Sequence, residues 1–85
     1  MLSTILLQVA AGASLAKLGG AFGGALTALA AAFGLGKIGA NAMEAIARQP
    51  EASGDIRTNL ILSAALVESI SLFSVIVSLL AVVTA

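Results

Sequence analysis

Two long apolar stretches flank one polar segment. The first runs from about Ala10 to Ala47 and the second from Thr58 to Ala85. Between them lies Arg48-Gln49-Pro50-Glu51-Ala52-Ser53-Gly54-Asp55-Ile56-Arg57, which holds the only proline. Each apolar stretch exceeds the roughly 20 residues that cross a bilayer as a helix. Each also far exceeds the ~10 residues of a barrel strand. Backbone amides find no water in hydrocarbon, so only helices and closed barrels can span it. The pattern predicts an all-α membrane fold, a two-transmembrane-helix antiparallel hairpin that oligomerises. As one domain over residues 1–85, it has helix 1 at about 12–47, a polar loop at about 48–57 and helix 2 at about 58–84. Pro50 and Gly54 mark the turn, because proline fixes φ and glycine admits positive φ. Both termini fall on the side opposite the loop. Arg48 and Arg57 place the loop in the cytoplasm, against Lys17 alone on the far side.

Composition agrees with lipid as the main solvent. Hydrophobic residues make up 60% of the 85 and charged residues 9%, against roughly a quarter charged in a soluble domain. Mean hydropathy is +1.14. A soluble chain this short could not bury so much apolar surface. Four basic and four acidic side chains give zero formal net charge, which argues against a nucleic-acid partner. The absence of Cys and His removes thiolate and imidazole chemistry, so no catalytic centre, metal site or cofactor is expected. The first positive residue is Lys17. The segment Met1–Leu7 therefore lacks the basic region of a secretory signal and reads as part of the mature chain.

The first stretch carries a packing signal. Gly12, Ala16, Gly20, Gly24, Ala28, Ala32, Gly36 and Ala40 form an unbroken run of small residues at spacing four. Such residues let helix backbones approach closely in lipid. The run drifts about 40° per step, so it spirals around the helix and suits several neighbours better than one. In the second stretch Ser71, Ser74 and Ser78 share one face. Their hydroxyls are expected to bond back to their own helix and to act as small packing groups.

Glu68 is the single charge in the second stretch. It lies about 16 Å along a helix from Arg57, close to the half-thickness of the hydrocarbon core, about 15 Å. An ionisable group at the midplane is costly and points to function. Lipid favours the neutral acid over the carboxylate, and a neutral acid can carry a proton through lipid. Lys37 lies at a comparable distance from Arg48. Two arrangements are open for it. One is an ion pair with Glu68, which would keep the carboxylate charged. The other is the stripe Lys37, Asn41, Glu44, Arg48, along which the lysine snorkels towards the loop.

These features together resemble one family, the c-subunits of the F-type ATP synthase, proteolipids of its membrane rotor ring. The loop Ala47-Arg48-Gln49-Pro50 is similar to that family's Ala-Arg-Gln-Pro signature, and Arg57-Thr58 follows at its spacing. Val67-Glu68-Ser69 falls where the family keeps its ion-carrying carboxylate. Ala30-x-Ala32-x-Gly34-x-Gly36 resembles the family's Gly-x-Gly-x-Gly-x-Gly run, with alanine at two glycine positions. Lys37 is not a residue that pattern leads one to expect at that depth.

The resemblance implies a homo-oligomeric ring with helix 1 inside and helix 2 outside. Gly20, Gly24, Ala28, Ala30, Ala32, Gly34, Gly36 and Ala40 would pack the helices. Glu68 would exchange a proton through half-channels in the stator's a-subunit, with support from Ser69 and the Leu66 carbonyl. Arg48, Gln49 and Pro50 would meet the central stalk, formed by gamma and epsilon. The chain would be no enzyme alone, but a component of a proton-translocating ATP synthase, bathed in membrane lipid. The bacterial inner membrane is the expected location. Sodium-carrying members place a glutamine on helix 1 level with the carboxylate and a hydroxyl two residues after it. Those positions are Leu35 and Ile70 here, so protons are expected over sodium. The alternative is a small oligomeric hairpin channel or holin-like protein, which explains the hairpin but not the Arg-Gln-Pro loop.

Overall fold

The computed structural model describes all residues, Met1–Ala85. It is a hairpin of two helices. Helix α1 spans Leu2–Arg48 and α2 spans Ser53–Thr84, joined by a single 3₁₀ turn at Pro50–Ala52. The molecule measures 73 × 15 × 8 Å, so its long axis is set by α1. Both helices are long and apolar enough to cross a membrane. The all-α antiparallel hairpin expected from the apolar pattern is the observed fold. Of 76 backbone hydrogen bonds, 73 lie within the helices, as a chain immersed in hydrocarbon requires. The glycines inside α1 do not break it, for the same reason.

The helices are longer and the loop shorter than the polar pattern suggests. Helix α1 begins at Leu2 rather than near residue 12, because Leu2–Gly12 contains no proline and continues the apolar, helix-compatible run. At the other end, α2 begins at Ser53 rather than near residue 58. Asp55 sits in its first turn, where a carboxylate faces the positive end of the helix dipole. Polarity at 53–57 thus marks a helix start rather than a loop. Gly54 is helical, and no residue in the chain has positive φ. The reversal rests on Pro50 instead. Gln49, just before it, is driven out of the helical region to φ −132°, ψ 71°, as the proline ring demands. The Gln49 amide still donates to the Ala45 carbonyl at 2.9 Å, and the Ala52 amide donates to the Gln49 carbonyl at 3.0 Å.

The two helices meet along a seam with a seven-residue repeat. Gly24, Ala31, Ile38 and Ala45 of α1 are partly covered, as are Leu60, Val67, Ser74 and Ala81 of α2. That repeat belongs to helices crossing at a shallow left-handed angle. Gly20 is the one buried residue. A methyl group there would lie 2.7 Å from Val82 Cγ2 and 2.8 Å from the Ser78 carbonyl oxygen. Glycine is therefore what permits the helices to touch at this end. No large apolar side chain is buried; Leu7, Phe33 and Phe73 are each more than 70% exposed. So much apolar surface needs lipid or neighbouring protein to cover it.

Candidate ion-carrying site

Glu68 lies midway along α2. The antiparallel register brings Gly24 opposite Ser78, and the same register sets Glu68 level with the Phe33–Gly34 region of α1. The side chain opens into a groove of about 340 Å³ lined by Ala28, Ala31, Ala32, Leu35, Ser71, Leu72 and Val75. The groove exists because α1 presents three alanines where larger side chains would fill the space. Besides the carboxyl, its only polar side chain is Ser71. The Ser71 hydroxyl donates to the Val67 carbonyl at 3.0 Å, so its proton is already committed to its own helix.

In the single hairpin, the residues that the resemblance gave as support for Glu68 do not line its groove. Ser69 and Leu66 are exposed and do not line the groove. Ser69 donates to the Ala65 carbonyl at 2.7 Å, and the Leu66 carbonyl lies inside an unbroken helix. Within the hairpin, the hydroxyl that lines the groove with Glu68 is that of Ser71. The i, i+3 spacing of Glu68 and Ser71 carried that signal, whereas adjacency along the chain pointed to Ser69. Leu35 lines the groove, and Ile70 lines a second groove on the other side of the hairpin. Lys37 lines neither.

The small-residue positions also divide. Gly20 and Gly24 contact α2. Ala28 and Ala32 line the Glu68 groove, and Ala30 and Gly34 line the second groove. Gly36 and Ala40 are exposed, with open space where a Gly36 side chain would be. One helix neighbour uses only part of the spiral. Ser74 and Ser78 sit on the seam, and a methyl on Gly23 would lie 3.2 Å from the Ser78 hydroxyl. Arg48, Gln49 and Pro50 are exposed at the tip.

A thin hairpin of two membrane-length helices, with no core of its own and one carboxylate halfway along a span, is a membrane proteolipid suited to assembly with other chains. The particular kind follows from comparison. The chain belongs to the ATP synthase c-subunit family, whose model matches residues 18–81. It is 60% identical over 80 residues to the ATP synthase c-subunit of Phocaeicola vulgatus, covering 94% of this chain and 95% of that one. It is 55% identical over 80 residues to that of Bacteroides thetaiotaomicron, covering 94% of each. With the ATP synthase c-subunit of Azobacteroides pseudotrichonymphae it shares 64% identity over 77 residues, covering 91% of this chain and 94% of that one. Membership makes the chain a component of a larger enzyme rather than an enzyme alone.

Proposed function

We propose that Glu68 is the ion carrier of a membrane rotor ring and that the ion is a proton. The carrying observation is the position of Glu68. It is the one carboxylate within the apolar span of α2, and it opens into a groove lined otherwise by apolar side chains and Ser71. In lipid the carboxyl travels protonated, because the bare charge is costly there. Where the stator's a-subunit offers a water path, the proton leaves. The charged carboxylate is then held beside the stator until a second path reprotonates it. Each cycle advances the ring by one hairpin. The membrane potential contributes about 2.3 kcal/mol per charge per 100 mV. The ring stands in the bacterial inner membrane with its loops in the cytoplasm. There Arg48, Gln49 and Pro50 meet gamma and epsilon of the central stalk and pass on the torque.

The donor set favours a proton. A hard cation gathers several oxygen ligands. The groove offers the carboxyl and one hydroxyl, with Leu35 on the facing helix. Labelling with a hydrophobic carbodiimide tests both parts, read by intact mass across pH with and without sodium. The expected result is one adduct, on Glu68, indifferent to sodium. Protection by millimolar sodium would keep the carrier and change the ion. No adduct at any pH would overturn the carrier role.

A further inference from the structure

The two flanks of the hairpin carry different charges. The Glu68 groove opens on one flank, beside Ala28, Ala32 and Val75. Arg57 lies eleven residues before Glu68, three helical turns away within about 20°, and so shares that flank. The second groove, at Ala30, Gly34 and Ile70, marks the opposite flank. Lys37 and Glu44 continue the Ala30 row at intervals of seven, and Asn41 continues the Gly34 row. Seven residues return to the same face within about 20°, so these three lie on the second flank. Height follows from register. With Gly24 opposite Ser78, Glu44 comes level with Arg57, and Lys37 lies about one turn nearer the loop than Glu68.

None of these charges makes a side-chain hydrogen bond within the hairpin. The side-chain hydrogen bonds all run from a Ser or Thr hydroxyl to the carbonyl four residues back. Lys37 and Glu68 are both exposed on their flanks, at a depth where a lone charge is costly. Side chains lean towards the N-terminus of their own helix. Lys37 therefore leans away from the loop and Glu68 towards it, which narrows their difference in height.

Copies related by a ring axis meet by opposite flanks. We propose that neighbouring hairpins are registered by complementary charge, with Glu44 of one copy against Arg57 of the next and Lys37 of one copy at the loop-side rim of the next copy's Glu68 groove. This rests on the ring reading above and names which faces meet. Within the hairpin, the groove brings Glu68 no other titratable side chain.

The chain has no cysteine, so paired cysteines can read the contact. The variants are Glu44→Cys/Arg57→Cys and Lys37→Cys/Glu68→Cys, treated in membranes of the assembled complex with a short bifunctional thiol reagent. Each double variant is expected to lose its monomer band and give a denaturant-resistant ladder, while the four single variants stay monomeric. Double variants that remain monomeric inside an intact ring would overturn the proposal. So would single variants that dimerise, because like faces would then be meeting. A ladder from the loop-side pair alone would overturn the Lys37 placement. Absence of any ring in native mass spectra of the unsubstituted protein would instead defeat the ring reading itself.

Discussion

At the scale of single residues, Glu68 and Gly20 carry the sharpest expectations. Glu68→Gln keeps the shape of the side chain and removes the exchangeable acid. Rings of this variant should assemble, yet ATP-driven proton pumping into vesicles should fall to background. Glu68→Asp shortens the reach by one methylene and should retain part of the activity. A Glu68→Gln ring that still pumps would remove the carrier from this position. Gly20 concerns packing alone. A methyl there meets the Ser78 carbonyl oxygen at 2.8 Å, and backbone cannot rotate aside as a side chain can. Gly20→Ala should therefore cost about 1–3 kcal/mol, seen as a lower ring dissociation temperature in detergent. Gly54→Ala is the matched control. Its methyl would enter open space within a helix, where alanine gains up to about 1 kcal/mol over glycine. Equal effects from the two variants would show that the Gly20 contact is not what holds the helices together.

At the scale of the elements, much was legible because the solvent is lipid. Two apolar runs longer than a bilayer leave helices as the open solution, and Pro50 marks the reversal. The element ends were less legible, because hydropathy reports where water begins rather than where hydrogen bonding ends. Ser53–Arg57 is polar and still helical, and Leu2–Gly12 is apolar, helical and without a facing helix. The site was legible in its carboxylate and less so in its surroundings. Glu68 announces itself as the lone charge in its run, but the residues beside it depend on which face α2 turns to α1. The heptad seam through Val67 and Ser74 decides that, and it places Ser71 in the groove and Ser69 outside. The overhang of α1 gives a prediction at this scale. By the register of Gly24 and Ser78, α2 ends near the level of Lys17. Amides of Leu2–Gly12 then rest on one helix alone, and those of Gly20–Ile46 on two. Hydrogen exchange in lipid nanodiscs should be markedly faster for the first group. Uniform protection along α1 would mean that the overhang is covered by something other than α2.

At the scale of the whole molecule, the hairpin is a strut whose two ends meet different surroundings. From Lys17 to Arg48 is about 47 Å along the helix, near the 40–45 Å of a bilayer with its headgroups. A bilayer laid between those two residues would hold Glu68 near its middle and leave the tip, with Arg48, Glu51 and Arg57, in water. The proposed orientation rests on that tip, since two arginines flank the turn and Lys17 stands alone at the opposite end. Glu51 is exposed on the 3₁₀ turn, and the chain has no cysteine. Glu51→Cys is therefore a single reporter on an otherwise unreactive background. A membrane-impermeant thiol reagent should label it in inverted inner-membrane vesicles and leave it untouched in intact cells. The opposite pattern would put the loops outside the cell and the Arg48-Gln49-Pro50 tip out of reach of any cytoplasmic stalk. Torque transfer through that tip would then have to be abandoned even if Glu68 still carried protons. The two results are independent, because carriage depends on the groove and orientation on the charges at the ends.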